Sequence, residues 1–205
     1  MFWAGIGGDK REYLLRDEIN YMFAKNHSDP MFRNKINENQ LAIMGHSTGG
    51  WGALTLATSA LPGLVDVAVK IKAVALIAPA VLDNQWPLAR QISPRPLIVL
   101  DGTEDISTEG ADSAPKGIFD NAIPPKIYVK ITGANHYGYT DSLTDSNDGN
   151  PGQILPREEQ QTIAKGYLTA FFTRFLTLNR NEEAYLTGRP IETLEGYTIL
   201  VESQF

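Results

Sequence analysis

Apolar residues fall in short continuous runs along this chain, and polar turns or longer segments with helical spacing separate them. The runs Gln40–Met44, Pro96–Leu100 and Lys126–Ile131 have the length and the aliphatic content of strands. A fourth run, Lys72–Ala80, is apolar almost throughout, which is typical of a strand buried on both faces of a parallel sheet. The pattern therefore predicts a sheet whose strands are mostly buried.

Other segments repeat apolar residues every three or four positions, as a helix with one buried face does. In Lys10–Lys25 these residues are Leu15, Ile19 and Phe23, with Leu14 and Met22 beside them; in Pro156–Leu176 they are Ile163, Tyr167, Phe171 and Phe175. Trp51–Ala57 predicts another helix, and Thr108–Asn121 is a candidate. Because strands and helices alternate, we predict the α/β class, with a mostly parallel sheet and flanking helices.

The remaining segments change the predicted arrangement of strands and helices little. Val81–Arg95 is predicted to be a short irregular crossing, too small for a large lid. The tail Asn179–Phe205 contains a candidate strand, Tyr197–Val201. No internal repeat or composition break divides the chain, so we expect residues 1–205 to form a single domain.

The motif Gly45-His46-Ser47-Thr48-Gly49-Gly50 lies between the predicted strand Gln40–Met44 and the predicted helix Trp51–Ala57. A G-x-S-x-G sequence between a strand and a helix predicts a nucleophile elbow, where the turn is so tight that only glycine fits beside the serine. Such a turn exposes the Ser47 hydroxyl above the carboxyl end of the sheet. The alternative is an ordinary turn serine.

Candidate partners for Ser47 follow two later strands, in the chain order that this architecture uses. Pro96–Leu100 leads into a loop with three acidic residues, and Lys126–Ile131 leads to His136. A serine hydroxyl needs an imidazole to accept its proton, and the imidazole needs a carboxylate to fix its tautomer. We predict Ser47 as nucleophile, His136 as base and Asp105 as acid. The acid has rivals, since Asp101 and Glu104 lie in the same loop and Asp101 could simply cap the turn.

The chain has three histidines, which limits the choice of base. His46 is part of the serine motif. His27 lies in the polar segment Asn26–Pro30, which is predicted to be a solvated turn. His136 is therefore the best candidate.

Composition excludes several other classes of function. The formal net charge is −6 and the sequence pI is about 5.1, whereas nucleic-acid binding needs a basic face. No apolar run approaches a membrane span, and Met1–Gly8 lacks the basic start and long apolar stretch of a signal peptide. The absence of cysteine excludes a disulfide framework, a thiolate nucleophile and a cysteine metal site, but it assigns no compartment.

With these motifs the chain resembles the α/β-hydrolase superfamily, in particular the esterase branch of cutinase-like polyester hydrolases, chlorophyllases and platelet-activating-factor acetylhydrolases. The matching residues are the serine motif at 45–50, Gly102–Asp105 and Gly133–His136, and the resemblance runs from about Arg11 to about Leu176. It implies the same three catalytic residues, one oxyanion-hole donor from the backbone N–H of Thr48, and no cofactor. Relatives of this kind are often secreted.

The resemblance also implies that family members have about four strands before the helix at Lys10–Lys25, including the loop that gives the second oxyanion donor. The chain is therefore expected to be the carboxyl-terminal part of the fold. Loss of one such donor costs roughly 2.7–4 kcal/mol of transition-state stabilisation, so weak activity is expected. The strand Gln40–Met44 would be an exposed edge, which favours poor solubility and self-association unless the tail or a partner covers it.

Aromatic residues near the candidate site could contact substrate. Trp51, Trp86 and Tyr137 are the candidates, and the alternative for the two tryptophans is a place in the core or the crossing. Without a large lid, an open site for short or medium acyl chains is favoured. The acidic segment Asp141–Asn150 does not have the spacing of an EF-hand calcium loop, so we expect a solvated loop and no metal.

The sequence thus predicts a hydrolase that cleaves carboxylic esters through an acyl-enzyme. Because triad geometry does not separate leaving groups, a thioesterase or a peptidase is an alternative. A third hypothesis is an inactive remnant that binds a ligand or a partner.

Overall fold

The structure is a computed structural model. It describes residues 10–58, 63–80, 86–92, 95–106, 114–141, 155–187 and 198–205. Within these ranges strands and helices alternate for most of the chain. The helices are α1 (Arg11–Ser28), α2 (Thr48–Thr58), α3 (Val65–Ala68), α4 (Ala114–Asn121), α5 (Arg157–Leu176) and α6 (Glu183–Leu186). The strands are β1 (Leu41–His46), β2 (Ile71–Ile77), β3 (Leu97–Gly102), β4 (Lys126–Ile131) and β5 (Ile199–Gln204).

The five strands form one sheet in the order β1-β2-β3-β4-β5. The strands β1 to β4 pair in parallel, and β5 pairs with β4 in the antiparallel direction. This is the α/β class with a mostly parallel sheet, as predicted. Because parallel strands all end at the same edge, the segments that follow β1, β3 and β4 meet there.

Side chains from the two faces of the sheet enter two separate clusters. Along β3, Val99 packs in the cluster under α1, α2 and α4, and its neighbour Leu100 packs in the cluster under α5. The alternation arises because successive side chains of a strand point to opposite faces. Helices cover both faces of the sheet, which explains why β2 and β3 are nearly continuous runs of apolar residues.

Most predicted elements appear within a few residues of their expected bounds. β4 has the predicted bounds Lys126–Ile131, and α5 begins one residue later than predicted. The turn predicted at Asn26–Pro30 is wrong for His27, which lies in the last turn of α1 with an exposed side chain 3.1 Å from Glu38. Asp29 is extended because the residue before a proline avoids helical backbone, so the helix ends there instead.

Several predictions fall partly outside the described residues. Of the segment Thr108–Asn121 only 114–121 is described, as α4; of Asp141–Asn150, only Asp141. In the crossing Val81–Arg95 the structure describes a 3₁₀ helix, Trp86–Ile92, and Arg95. The tail strand is present as Ile199–Gln204. Among the described helices, none is long and apolar enough to cross a membrane.

The strand β1 is an edge of the described sheet. Its backbone pairs with β2 on one side, and β5, the strand of the tail that the structure describes, lies at the opposite edge of the sheet. Only Ile43 of this strand is buried, and Met44 is 53% exposed. An uncovered edge strand can pair with another chain.

We expect this edge to cause self-association, with a second copy as the partner. Met44→Lys places a charge on the edge strand and is expected to shift the protein toward the monomer in light scattering. Met31→Lys is the matched control, because Met31 is also exposed (70%) but lies in a loop. A monodisperse monomer before any substitution would contradict the expectation.

Candidate active site

The serine motif forms a strained turn between β1 and α2. Ser47 has φ 55°, in the left-handed region that residues with a side chain rarely adopt. The turn is fixed from both sides: Ser47 N–H donates to the carbonyl of Ile77 (3.0 Å), and the Ser47 carbonyl accepts from Ala80 N–H (3.1 Å). These bonds to β2 and the residues after it hold a backbone strained by about 1–3 kcal/mol. The geometry is that of a nucleophile elbow.

The glycines of the motif are not equally constrained. A Cβ at Gly45 would collide with the backbone of Gly49 and Gly50, so the strand can approach the helix only if residue 45 is glycine. At Gly50 a Cβ would lie 3.1 Å from Pro79, which is tight, whereas at Gly49 it would meet nothing within 4 Å. The predicted need for glycine on both sides of the serine is therefore correct at Gly45 and wrong at Gly49.

Asp105 and His136 form a buried pair above the ends of β3 and β4. The Nδ1–H of His136 donates to both carboxylate oxygens of Asp105, at 3.0 and 2.9 Å. The side chain of Asp105 is 1% exposed and that of His136 is 4% exposed. Because a carboxylate can only accept, the proton sits on Nδ1 and Nε2 is left as the basic nitrogen.

Asp101 has other partners. Its carboxylate accepts from the Tyr128 hydroxyl at 2.7 Å and from the Gly102 N–H at 2.8 Å, and Lys130 lies 3.6 Å away. Burial raises the pKa of Asp101, and the bond from Tyr128 opposes that rise. Of the three acidic candidates, the structure brings Asp105 to His136, whereas Asp101 lies within β3, not in the loop, and is held against β4.

His46 connects the turn that carries Ser47 to the segment Asn135–Gly138, which contains His136 and is called the histidine loop below. Its Nε2–H donates to the backbone carbonyl of His136 at 2.9 Å, and the two imidazole rings are 4.7 Å apart. His46 precedes Ser47, so this bond places the loop after β4 beside the turn after β1. In the sequence His46 is visible only as part of the serine motif, because a contact across 90 positions leaves no local signal.

Ser47 is half-buried, and its hydroxyl has no hydrogen-bond partner among the described residues. The bond between a nucleophile and its base is often long before substrate binds. Thr48 is the first residue of α2, so its N–H is one of those that a helix leaves without an internal acceptor. Such an amide is free to donate to an oxyanion beside Ser47.

The three aromatic residues predicted to contact substrate differ in how the structure places them. Trp51 is 7% exposed in the cluster under α1, because the first turn of α2 faces α1 and the sheet; it is a core residue and not a substrate contact. Trp86 begins the 3₁₀ helix, and its side chain lies outside the described part of the chain. Tyr137 is 37% exposed, and its ring meets the ring of His136 edge-on, 5.0 Å between centroids. Tyr137 remains a candidate substrate contact.

His46 should make stability depend on pH. Burial, and then the nearby His136, lower the pKa of His46 below its ordinary value of 6.5. As pH falls below about 6.5, the unfolded chain therefore binds this proton before the folded chain does, and the free energy of unfolding decreases. In urea titrations at pH 7.5 and 5.5, His46→Gln is expected to lose less stability over this range than the unsubstituted chain.

The reference for this measurement is the pH dependence of the unsubstituted chain. A His46→Gln variant that follows it closely would contradict the prediction.

Relatives of the chain were found among curated proteins, although no family model matches it. Cutinase est2 of Thermobifida alba is 34% identical over 132 residues, which cover 63% of this chain and 39% of that protein. Cutinase 1 of Thermobifida cellulosilytica is 30% identical over 191 residues, or 92% of this chain and 60% of that protein. The chain is a homologue of the cutinases. The chain also matches a bis(hydroxyethyl) terephthalate hydrolase of Streptomyces coelicolor, 27% identical over 194 residues, with 92% of the chain and 51% of that protein covered.

Two of these matches extend over the whole candidate site. Since the longer ones cover 92% of the chain, they include the segment from Ser47 to His136. The chain spans 39 to 60% of the length of these three relatives.

Proposed function

We propose that the protein is a serine hydrolase that cleaves carboxylic esters of short to medium acyl chains. One observation carries the proposal: a buried Asp105–His136 pair lies beside an elbow that holds Ser47 in left-handed backbone. The bond between His46 and the carbonyl of His136 supports the proximity of the two parts. The names of the homologues, cutinases and a bis(hydroxyethyl) terephthalate hydrolase, support ester bonds as the target.

The proposed reaction has two halves. In the first, Nε2 of His136 removes the hydroxyl proton of Ser47 as Oγ attacks the ester carbonyl, and the imidazolium then protonates the departing alcohol. In the second, His136 removes a proton from a water that attacks the acyl-enzyme and passes this proton to Ser47 Oγ as the ester bond breaks, so the acid is released and Ser47 is regenerated. Asp105 keeps the proton on Nδ1 and stabilises the imidazolium. In the tetrahedral intermediate of each half, Thr48 N–H donates to the oxyanion.

Labelling and a substrate panel test this proposal. A fluorophosphonate probe is expected to modify Ser47, identified by mass spectrometry of the labelled peptide. The panel is p-nitrophenyl acetate and butyrate, a thioester and an amide of the same acyl groups, and bis(hydroxyethyl) terephthalate, with the fastest turnover expected for the p-nitrophenyl esters.

The outcomes separate the competing hypotheses. A preference for the thioester or the amide at equal acyl group would make the protein a thioesterase or a peptidase. No labelling of Ser47 and no turnover of any member of the panel would contradict the hydrolase and favour a ligand-binding role.

A further inference from the structure

Helix α5 places a fully buried amide against the residue that precedes His136. The side chain of Gln160 has no exposed surface. Its Nε2–H donates to the Asn135 carbonyl at 2.8 Å, and its Oε1 accepts from the Asn135 N–H at 3.2 Å. One side chain thus bonds both backbone groups of Asn135, as a neighbouring strand would.

The two bonds between Gln160 and Asn135 form a clamp, and further contacts hold the residues that follow Asn135. The side-chain oxygen of Asn135 accepts from the Gly138 N–H at 2.7 Å, which closes the backbone around His136. A Cβ on Gly138 would collide with Gln160 Oε1, so the loop packs directly on the glutamine. His136 itself contributes its carbonyl to His46. The backbone from Asn135 to Gly138 is therefore held on the α5 side by Gln160 and on the β1 side by His46.

Gln160 is a polar residue at a fully buried position of a helix, which is unusual. It lies three residues before Ile163 and seven before Tyr167, on the buried face of α5. A polar group at full burial is costly unless it is hydrogen-bonded, and an apolar side chain would satisfy the face equally well. What the amide adds is the pair of directed bonds to the histidine loop.

We propose that Gln160 is a positioning residue, which holds the backbone around His136 so that the imidazole can both bond Asp105 and reach Ser47. The proposal rests on the proposed function of His136 as the base and proton donor. Loss of the clamp is expected to leave the protein folded, with the imidazole no longer held in one orientation. A displacement of about 1 Å in such a group can cost on the order of 100-fold in rate.

The dependence on the leaving group separates positioning from a merely structural role. A p-nitrophenolate leaves without being protonated, whereas an ethoxide needs the proton that His136 carries. Gln160→Met keeps the length of the side chain and removes both bonds. We expect kcat/KM to fall about tenfold for p-nitrophenyl butyrate and about 100-fold for ethyl butyrate. A general loss of folded protein would lower both rates by the same factor.

Gln161→Met is the matched control. Gln161 is the next residue of α5, and its amide donates to Thr140 (3.1 Å), outside the Asn135–Gly138 segment. We expect this variant to retain both rates within about twofold. Equal losses for the two esters in Gln160→Met, or the same leaving-group effect in Gln161→Met, would overturn the proposal.

An NMR measurement tests the positioning role of Gln160 without any catalytic reaction. The Nδ1–H proton of His136 bonds a carboxylate and should give a far-downfield resonance in the unsubstituted chain. In Gln160→Met this resonance is expected to broaden or disappear, and in Gln161→Met it is expected to persist. If it responds in this way but no ester is cleaved, the positioning role stands and the proposed function fails. A resonance unchanged in folded Gln160→Met overturns the positioning role.

Hydrogen exchange tests the clamp even if Gln160→Met does not fold. In the unsubstituted chain, the amides of Asn135 and Gly138 should exchange as slowly as those of β4, because both bond buried side-chain oxygens. Exchange at the rate of open loop amides would overturn the proposal.

Discussion

Ser47→Ala is expected to reduce the hydrolysis of p-nitrophenyl acetate and butyrate by about 10⁴-fold to 10⁶-fold, to near the rate without protein. The substitution removes the only atom that forms the acyl bond in the proposed mechanism. Alanine has the same Cβ as serine and meets the same left-handed backbone at φ 55°, so the elbow should be retained. Release of p-nitrophenol, followed by absorbance on the purified proteins, measures the effect.

Ser28→Ala is the control for this substitution. Ser28 is exposed at the end of α1, and its hydroxyl donates to the Ala24 carbonyl in the preceding turn of the same helix. Its rates should equal those of the unsubstituted chain. If Ser47→Ala retained a substantial part of the rate while remaining folded by circular dichroism, Ser47 would not be the nucleophile.

Asp105→Asn is expected to lower kcat by about 10⁴-fold with little change in folding. The amide keeps the size of the carboxylate but can also donate, so it no longer requires the proton on Nδ1 of His136. The wrong tautomer then presents an N–H instead of a basic nitrogen toward Ser47. Rates with p-nitrophenyl butyrate, together with melting temperatures, measure the two effects separately.

Asp101→Asn makes the same chemical change four residues earlier and decides between the carboxylates. Asp101 is also buried (6% exposed), but its bonds go to Tyr128 and Gly102. We expect less than about a tenfold loss of kcat, since Asp101 does not bond His136, with a measurable change in stability. A larger loss in Asp101→Asn than in Asp105→Asn would overturn the assignment of the acid.

The local elements could be predicted because their causes are local. The bounds of β4 and the start of α5 follow from runs and spacings of apolar residues, which repeat within each element. The elbow follows from Gly45 and Ser47, because the geometry of a tight turn depends on a few consecutive residues. Errors occur at ends, as at His27, where propensity and the following proline compete over a single turn.

The predictions that depended on partners far along the chain stayed open. Asp101 lies near the end of β3 and Asp105 in the loop that follows, and only the path of the chain after β4 decides which of them meets His136. Trp51 follows the serine motif directly, yet the packing of α2 against α1 takes its ring into the core. Gln160 carried a local signal, a polar residue on the apolar face of α5, but its partner Asn135 lies 25 positions away.

The sequence by itself determined the α/β class, the strand–turn–helix around Ser47 and the order of serine, acid and histidine, because these depend on periodicity, on glycine and on the succession of elements. The tertiary structure alone decided between Asp105 and its rivals as the partner of His136, attached the histidine loop to His46 and Gln160, and placed β5 at the edge opposite β1. These features join segments that are distant in the chain. Their geometry comes from the packing of strands and helices, which no local pattern specifies.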